Sequence, residues 1–437
     1  MSKQLSALRS WGNYPLIQSL KRLFHSADEL RDILLTQFSG IAYGNGRSYG
    51  DSALAKQHID TRAYNKIRHF DDKNGIIHVE SGLLLSDILE QVVPKGWFLS
   101  VTPGTKYITV GGAIASDVHG KNHHIDGCFS ASVLEFGLML ATGEQRRLSR
   151  QSHADLFHAT CAGMGLTGVI LDVKLQLKKI SSSKIAERSI KTENLKETFS
   201  VFEQHSDSPY SVAWIDCLAK GPKLGRSVVK MGDFHSGAGF EYRPKRRLSL
   251  SFYWPAFVLN RFTVALFNAL YYGKQRKKEQ QQLVDIDSFF YPLDGIANWN
   301  RLYGKGGFTQ YQFILPIETS YDGLSDILTT IAESGRASFL AVLKLYGDEN
   351  ENYLSFPMKG YSLALDFKID DGLFDFLHTL DALVLKYSGR VYLAKDVRLS
   401  RAVFDAGYAK ADDFRALRQA HGMCDTFYSL QSKRLEI

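Results

Sequence analysis

Three glycine-rich segments in the first 170 residues constrain the fold of this chain more than any other feature. They cover residues 43–51, 102–124 and 161–170, and each joins apolar, strand-like sequence to small or polar residues. Glycine has no Cβ, so backbone N–H groups can converge on an anion and a flat ligand can lie close to the main chain. Together the segments predict loops that bind a nucleotide-like ligand.

The first segment runs Gly44-Asn45-Gly46-Arg47-Ser48-Tyr49-Gly50-Asp51. Arg47 and Ser48 add a cation and a hydroxyl group, which suits the neighbourhood of a pyrophosphate. The spacing differs from the G-x-G-x-x-G of a Rossmann fold, and no helical pattern follows it directly. A tight surface turn accounts for this segment equally well.

The second segment has mostly small residues from Gly111 to Asp117 and continues as His119-Gly120-Lys121-Asn122-His123-His124. Small residues permit a planar ligand to lie against the backbone. A closely packed turn between a strand and a helix explains the glycines as well, but it leaves the polar cluster unexplained. We expect no metal site here, because acidic and cysteine partners are lacking nearby. The third segment predicts a turn into a buried strand, for which packing alone is a sufficient reason.

The rest of the pattern mixes strands and helices. With 437 residues and 44% hydrophobic content, the chain is long enough for two or three domains. A polar stretch at 181–183 separates a first region from a second one. Apolar periodicity predicts strands at 75–82, 311–315 and 338–343 and helices at 84–93 and 324–333.

The four cysteines, at positions 128, 161, 217 and 424, are scattered. Their spacing predicts neither a disulfide framework nor a structural metal site, and a reducing compartment fits best. The first residues have no long apolar core and no small-residue cleavage site, so no export signal is expected. We therefore expect a cytoplasmic or cytoplasm-facing protein.

The net charge of +7 comes from one segment. Nine of the 53 basic residues and none of the 46 acidic ones lie at 243–278, so the remainder of the chain is close to neutral. A nucleic-acid partner is therefore not expected. The nine are Arg243, Lys245, Arg246, Arg247, Arg261, Lys274, Arg276, Lys277 and Lys278.

An aromatic and apolar stretch separates the two basic clusters of this segment. Its length would suffice to span a bilayer, but Pro255, Asn260, Arg261 and Asn268 interrupt it and positive charge flanks both ends. A segment lying at the membrane interface accounts for more of these residues, with rings among the acyl chains and cations on anionic headgroups. A helix packed on the protein's own second domain is the alternative.

The order of the motifs resembles the vanillyl-alcohol-oxidase superfamily of FAD-dependent oxidoreductases and, within it, the decaprenylphosphoryl-β-D-ribose 2′-oxidase family. The resemblance spans nearly the whole chain, and the string His-Gly-Lys-Asn-His-His at 119–124 is its most specific part. The other matching motifs are Ser10-Trp11-Gly12, Gly46 to Asp51, Val110 to Ala113, Tyr291 to Asp294, Gln310 to Phe313, Asp366-Phe367 and Leu393 to Asp396.

The resemblance implies an α+β flavoprotein of two domains. Residues 1–183 would form the first part of the FAD-binding domain, 184–389 a substrate domain built on an antiparallel sheet with helices, and 390–437 a return to the FAD-binding domain. FAD would be bound noncovalently, since Arg47 and Ser48 stand where many relatives carry a tethering histidine. The implied cofactor residues are Gly44, Asn45, Gly46, Arg47, Ser48, Tyr49, Gly50, Asp51, Gly104, Thr109, Val110, Gly111, Gly112, Ser116, Asp117, Val118, His119, Ile170 and Tyr392.

The family oxidises the ribose 2′-hydroxyl of a lipid-linked phosphosugar by hydride transfer to the flavin. By resemblance, Lys395, Tyr49 and His119 are the implied catalytic residues, and an ammonium group at Lys395 suits a developing alkoxide. A solvated lysine at a strand end is the alternative. The implied substrate residues are Lys121, Tyr291, Gln310, Gln312, Ala364, Asp366 and Lys395. Ala364 departs from the pattern, because some relatives have an active-site cysteine there, and this puts the identity of the sugar in doubt.

The implied partners are a lipid-linked phosphosugar, an anionic membrane surface and a short-chain dehydrogenase/reductase that completes an epimerisation. An aldonolactone or alditol oxidase of the same superfamily, acting on a soluble sugar, is the alternative enzyme. A nucleotide-binding or membrane-scaffold protein without turnover is the alternative from another class.

Overall fold

Short β-branched and aromatic runs between glycine turns build two sheets in the first 180 residues. A computed structural model describes residues 4–244 and 248–437. The elements of this first region are β1 (Gln4–Leu8), β2 (Ile17–Leu23), α1 (Ala27–Leu35), β3 (Ile41–Tyr43), β4 (Gln57–Asp60), β5 (Ile67–Asp71), β6 (Ile76–Glu80), α2 (Leu85–Val92), β7 (Trp97–Leu99), α3 (Val110–Ala115), α4 (His123–Asp126), β8 (Val133–Met139), β9 (Gln145–Leu148), α5 (Ala154–Thr160) and β10 (Val169–Lys179).

One sheet has the order β1-β2-β4-β3, and the other has the order β5-β6-β10-β8-β9 with β7 paired to β10. Helix α2 covers residues 85–92 of the predicted 84–93, and its Leu85, Ile88, Leu89 and Val92 are fully buried. This i, i+3, i+4, i+7 spacing places all four side chains on one helix face, which packs into the core of the first region.

The second region builds one large antiparallel sheet. Its elements are β11 (Lys184–Thr192), α6 (Leu195–Gln204), β12 (Tyr210–Ile215), β13 (Ser227–Phe234), β14 (Leu248–Ser249), α7 (Arg261–Lys274), β15 (Glu279–Asp285), α8 (Ile286–Phe290), β16 (Ile296–Ala297), β17 (Phe308–Pro316), α9 (Ser320–Ser334), β18 (Ala341–Tyr346), β19 (Gly360–Lys368), α10 (Leu373–Lys386), β20 (Arg390–Val391), α11 (Arg401–Gly407), α12 (Ala411–Ala420) and α13 (Leu430–Leu435). The strand order is β15-β11-β13-β12-β18-β19-β17-β20.

The two faces of the eight-stranded sheet differ in polarity, because successive side chains of a strand point to opposite sides. On one face the buried Tyr311, Phe313, Leu363 and Leu365 belong to a core that includes residues of α6, α9 and α10. Gln310 and Gln312 alternate with these residues, and their β19 partners in register are Asp366 and Ala364. The strands therefore present a polar face on the side away from those helices.

The predicted strand at 338–343 is wrong at its start, since β18 begins only at Ala341. The Ser338 hydroxyl donates to the Leu340 carbonyl (3.0 Å) and accepts from the Asp366 N–H (3.0 Å). A serine side chain that bonds nearby backbone groups competes with strand pairing, which explains the later start.

The last forty residues return to the first region. Strand β20 still pairs with β17, whereas the Ala394 carbonyl accepts a hydrogen bond from the Tyr49 N–H (3.1 Å). Further along, the Leu430 N–H donates to the Leu54 carbonyl (2.8 Å). The chain thereby brings its C-terminal part against the first glycine-rich loop. The predicted domain boundaries themselves stay a prediction.

The basic segment 243–278 contains α7, and its Lys245, Arg246 and Arg247 lie outside the described residues. Asn260 caps α7 by accepting hydrogen bonds from the N–H groups of Phe262 (2.8 Å) and Thr263 (3.1 Å). Within residues 4–244 and 248–437, each helix is too short or too polar to traverse a bilayer.

Candidate active site

The first glycine-rich loop lies directly on the segment that carries Lys395. A Cβ added to Gly50 would fall 1.6 Å from the carbonyl oxygen of Asp396, so only glycine permits this approach. The hydrogen bond from Tyr49 N–H to the Ala394 carbonyl fixes the same contact. Two parts of the chain more than 340 residues apart thus form one wall of the site.

Lys395 and Tyr49, both predicted to be catalytic, are in contact. The Lys395 ammonium lies 3.8 Å from the centroid of the Tyr49 ring, which is a cation–π geometry. Burial lowers the pKa of Lys395 to about 7, and the nearby Asp366 carboxylate opposes part of this decrease. Lys395 can therefore exchange a proton near neutral pH.

Asp366 is the acidic partner of this lysine. Its carboxylate is buried and accepts hydrogen bonds from the Gln310 amide (2.6 Å) and the Tyr303 hydroxyl (3.5 Å). Burial raises the pKa of Asp366 to about 7, while the Gln310 hydrogen bond and the Lys395 charge act in the opposite direction. Each group of the pair thus favours the charged form of the other.

His119 connects the second glycine-rich segment to the polar face of the large sheet. Its Nε2 accepts a hydrogen bond from the Gln312 amide (3.1 Å), and its ring packs against Tyr346, Phe356 and Tyr392. Burial lowers the pKa of His119 well below 6.5, so the imidazole is neutral. The proton then resides on Nδ1, which has no hydrogen-bond partner among the described residues.

The second glycine-rich segment packs against the first. Thr109 caps α3 by accepting a hydrogen bond from Gly112 N–H (3.1 Å). A Cβ on Gly44 would lie 2.4 Å from the Thr109 hydroxyl, and one on Gly111 would lie 3.0 Å from the Ser81 side chain. At Gly104, by contrast, an added Cβ would meet nothing within 4 Å. The loops are therefore tight against each other but open at Gly104.

These loops fit a flavin dinucleotide. Buried polar atoms that lack a partner in the described ranges include His119 Nδ1 and Ser81 Oγ. The backbone N–H groups of Asn45, Gly46 and Ser48 also donate no hydrogen bond to any of the described residues. Such donors suit the pyrophosphate and ring oxygens of FAD, and Gly104 leaves space beside the backbone.

Other predicted cofactor residues shape these loops. The Asn45 amide donates to the Tyr107 carbonyl (2.6 Å), and the Arg47 guanidinium lies 4.0 Å from the Trp11 ring centroid. The Tyr392 hydroxyl donates to the Ser116 carbonyl (2.8 Å). The Val118 carbonyl accepts from Phe129 N–H (2.8 Å), while Val110 and Ile170 are buried in the core of the first region.

The carboxylates of Asp51 and Asp117 bind protein groups rather than facing open space. Asp117 accepts hydrogen bonds from the backbone and hydroxyl of Ser130 and from the amides of Asn350 (2.8 Å) and Asn352 (2.6 Å). Asp51 forms an ion pair with Arg434 (2.8 Å). Their side chains hold the loops in position, which leaves only their backbone groups for a cofactor.

Of the predicted substrate residues, Gln310, Gln312, Ala364 and Asp366 share the polar face of the sheet. Tyr291 lies apart from this row, and its hydroxyl is hydrogen-bonded to Thr102 (2.6 Å) in the second glycine-rich segment.

Lys106 extends this connection between the second segment and residues 287–294. Its buried ammonium contacts Asp287 (2.6 Å) and the Tyr242 hydroxyl (2.9 Å), and its N–H donates to Asp294 (2.9 Å). These bonds attach Tyr242, which precedes the basic segment, and Asp287 and Asp294, which follow it, to the second glycine-rich segment.

Lys121 and one lysine that was not predicted, Lys344, complete the site. The Lys121 ammonium donates to the Phe289 carbonyl, and burial lowers its pKa to about 7. Burial also lowers the pKa of Lys344 to about 8, and its charge depresses the pKa values of His119, Lys121 and Lys395. A lysine within the apolar run 340–346 was the sequence signal that would have found it.

A model of the FAD binding domain matches residues 25–149. Together with the fold and the donor-lined loops, this match defines the class of an FAD-binding flavoprotein, and the relatives below make it an FAD-dependent oxidoreductase acting on CH–OH groups. Over 417 residues it is 36% identical to decaprenylphosphoryl-beta-D-ribose oxidase of Mycolicibacterium smegmatis, covering 91% of this chain and 89% of that protein. The chain belongs to the decaprenylphosphoryl-β-D-ribose oxidase family.

Two further relatives delimit the similarity. An uncharacterised protein of Streptomyces coelicolor is 31% identical over 371 residues, which cover 81% of this chain and all of that protein. Mouse L-gulonolactone oxidase is 35% identical over 136 residues, or 30% of each chain. The predicted family, the α+β flavoprotein fold, the oxidoreductase class and the FAD cofactor are thus confirmed. The assignments of individual site residues stay predictions.

Proposed function

We propose that this chain oxidises the 2′-hydroxyl group of a pentose carried on a polyprenyl phosphate and forms the 2-keto sugar. The observation that carries the proposal is Lys395 beside Asp366 of the polar sheet face, with Lys344 near Lys395 and Lys121 near Lys344. A proton-exchanging pair suits alcohol oxidation, and partly buried ammonium groups suit a phosphate. The relative from Mycolicibacterium smegmatis is named a decaprenylphosphoryl-beta-D-ribose oxidase, which supports this substrate class.

The oxidation removes a hydride from the carbon and a proton from the hydroxyl oxygen, which leaves a carbonyl group. Loop 44–51 and the second glycine-rich segment would hold FAD, which would supply the hydride acceptor when bound. The Asp366 carboxylate receives the hydroxyl proton, and the Lys395 ammonium stabilises the negative charge that develops on the oxygen. Gln310 orients Asp366, and Gln312 orients His119.

Lys121 and Lys344 hold the sugar phosphate in this proposal. Burial depresses both pKa values toward neutrality, with Glu187 opposing this at Lys121, so an added negative charge would stabilise both protonated lysines. A bound phosphate supplies that charge and favours the protonated lysines.

Loop 44–51 contains neither histidine nor cysteine, and we propose that FAD is held there noncovalently. A short-chain dehydrogenase/reductase that reduces the 2-keto group from the opposite face would complete an epimerisation.

Anaerobic reduction of the flavin by a panel of sugars tests the reaction. We expect short-chain prenyl-phosphoryl ribose to bleach the visible flavin absorbance, and free ribose, alditols and aldonolactones to do so far more slowly. The reverse ranking would favour the soluble-sugar oxidase instead.

Denaturation of the protein with acid should release the flavin into the supernatant, whereas flavin that stays with the precipitated protein would contradict noncovalent binding.

We also propose that α7 docks on an anionic lipid bilayer, where such a substrate resides. Phe262, Leu266 and Leu270 lie one turn apart and are 83%, 62% and 65% exposed. The opposite helix face is attached to the large sheet: Val264 and Asn268 are buried, and Tyr271 packs 4.6 Å from Trp214. The helix therefore packs on its own domain with one face and presents an apolar stripe with the other.

Charge complementarity selects an anionic membrane as the occupant of this stripe. No acidic residue interrupts 243–278, and Arg261, Lys274, Arg276 and Lys277 flank or follow the stripe as exposed cations. Phe252 and Phe257, 66% and 77% exposed, add aromatic side chains next to the helix. Apolar groups flanked by unopposed cations are typical of interfacial helices on anionic lipid.

Replacing Leu266 with glutamate is expected to weaken binding to phosphatidylglycerol vesicles by about 10- to 100-fold, the cost of losing one buried leucine. Vesicle flotation over a range of lipid concentrations measures the effect. Leu35→Glu is the matched control, because Leu35 is 61% exposed on α1 in the first region. Equal binding by the two variants would contradict docking through α7.

A further inference from the structure

A basic cavity opens beside the first turn of α7. It has a volume of about 250 Å³ and lies between the start of α7, the end of α9 and the end of β19. Arg261, Arg336 and Lys368 line it, with Asp370 as the acidic residue among the lining side chains, and Asn260 and Ser334 add polar groups. The lining therefore carries an excess of positive charge.

Arg261 is the cation of this cavity that remains available for a ligand. Arg336 is bound to the Asp370 carboxylate (2.5 Å) and to the Asp371 carbonyl (2.9 Å). Arg261, by contrast, forms no hydrogen bond or ion pair within residues 4–244 and 248–437, and its side chain lies 3.5 Å from a Cβ position built on Gly335. Arg261 is exposed at the cavity wall, and a guanidinium group without a protein partner there suits a phosphate oxyanion.

The cavity is placed where headgroups of a bilayer would lie. Its residues 259–261 stand between Phe257 and Phe262, which are 77% and 83% exposed. Side chains of an interfacial helix enter the boundary between acyl chains and headgroups, so groups beside the apolar stripe meet the phosphates. With Phe257 and Phe262 in the acyl region, Arg261 is at the level of the lipid phosphates.

An aromatic wall separates this cavity from the active site. Tyr303 lines the cavity and stacks on Phe308 with ring centroids 4.2 Å apart, and its hydroxyl lies 3.5 Å from Asp366. The phosphate of the proposed substrate is attached to the carbon next to the reacting one, so it must stay on the Lys395 side of this wall. A phosphate in the cavity therefore belongs to a different molecule.

We propose that this cavity binds the phosphate group of an anionic phospholipid headgroup and so seats α7 at the bilayer surface. The inference rests on the proposed docking of α7 and adds a defined headgroup site to it. It predicts that removing Arg261 weakens binding of phosphatidate, whose headgroup is an exposed phosphate monoester, more than removing another cation of the basic segment does.

The test compares Arg261→Gln with Arg276→Gln, which removes the same charge from an exposed position outside the cavity. Flotation with phosphatidylcholine vesicles containing phosphatidate or phosphatidylglycerol gives vesicle affinities, and calorimetry gives the affinity for monomeric dihexanoyl phosphatidate. Loss of a charge-assisted hydrogen bond should weaken phosphatidate binding by about 10-fold more in Arg261→Gln than in Arg276→Gln. Flavin spectrum and far-UV circular dichroism verify that both variants are folded.

The possible outcomes distinguish the headgroup site from the docking of α7 and from binding of the substrate phosphate. Equal losses in the two variants would overturn the headgroup site and leave the docking of α7 intact. Binding of dihexanoyl phosphatidate by the unmodified protein but not by Arg261→Gln, without vesicle binding, would retain the site and reject the docking. An increased KM for the short-chain prenyl substrate in Arg261→Gln, with unchanged phosphatidate binding, would overturn the site in favour of the substrate phosphate.

Discussion

Replacement of Lys395 by methionine is expected to slow flavin reduction by the lipid-linked sugar by roughly 100- to 1,000-fold, the usual effect of removing one group that stabilises a developing oxyanion. Methionine retains much of the side-chain volume over the Tyr49 ring but has no charge. The backbone contact between Tyr49 and Ala394 is untouched, so FAD should remain bound at full stoichiometry. Stopped-flow measurement of anaerobic reduction gives the rate, and the visible spectrum gives the flavin content.

A lysine elsewhere in the chain provides the control for this substitution. The Lys433 ammonium lies 3.7 Å from the Tyr428 ring centroid, a contact similar to that of Lys395 with Tyr49, but Lys433 is exposed on α13. In Lys433→Met, the lipid-linked sugar should reduce the flavin at the same rate as in the unmodified protein. If the flavin in Lys395→Met is reduced at the normal rate, Lys395 does not take part in the reaction. If Lys395→Met loses its FAD, the role of Lys395 is structural.

The pH dependence of reduction separates the two members of the Lys395–Asp366 pair. The proposed reaction requires Asp366 ionised and Lys395 protonated, so the rate should fall on both sides of a maximum near pH 7. In Asp366→Asn, the fall in rate at low pH should disappear, because the carboxylate that becomes protonated there is absent. The alkaline limb should move to lower pH, because the carboxylate that raises the pKa of Lys395 is gone. An unshifted alkaline limb would show that the two groups do not interact.

Replacement of Arg434 by methionine is expected to lower the free energy of unfolding by about 3 kcal/mol, the lower end for breaking a buried ion pair. Arg434 Nη2 contacts Asp51 (2.8 Å) and Asp396 (3.0 Å), and both carboxylates are about 5% exposed. One arginine thus joins the first glycine-rich loop to the segment that carries Lys395. Without it, two buried carboxylates stand close together with one cation fewer.

The loss should depend on pH in a defined direction. Burial already raises the pKa of Asp51 to about 7, and removing Arg434 raises it further. A carboxyl whose pKa is higher in the folded than in the unfolded protein binds more protons when folded, so stability increases as the pH falls. The deficit of Arg434→Met relative to the unmodified protein should therefore be largest at pH 8 and smaller at pH 5.5. Urea unfolding at both pH values measures it.

An exposed arginine of the same region is the matched control. Arg401 on α11 pairs with Asp405 (3.3 Å) and with Glu436, and 47% of its side chain is exposed. Arg401→Met should cost less than about 1 kcal/mol, because water already screens that pair. Similar losses for Arg401→Met and Arg434→Met would contradict the buried role assigned to Arg434.

Loop positions and individual helices were accessible from the sequence, because they depend on local chemistry. Glycines at 44, 50 and 111 indicate close backbone approach wherever they occur, and the structure places a backbone or side-chain atom within about 3 Å of each added Cβ. Helix α2 agrees with its predicted limits to within one residue at each end, since its apolar periodicity is local.

Lys344 shows where sequence patterns fail. Its strand was predicted too early, at 338–343, and the lysine fell outside it. Its role depends on pairing with Ser362 of β19, which places it on the polar face, and on the fold that brings this face toward His119 and Lys395. A slip of one residue in strand register would turn the same lysine to the opposite face.

The sequence by itself determined that glycine-rich loops suit a nucleotide-like ligand and that a basic, apolar segment interrupts the second region, because backbone freedom, periodicity and charge are properties of neighbouring residues. Only the tertiary structure decided which charges meet. Lys121 and Lys395 are more than 270 residues apart in the sequence, yet the charge of Lys344 lowers the pKa of both, and Asp366 lies near Lys395. Such encounters depend on strand register and on packing throughout the chain, and so do their pKa values, which follow from burial.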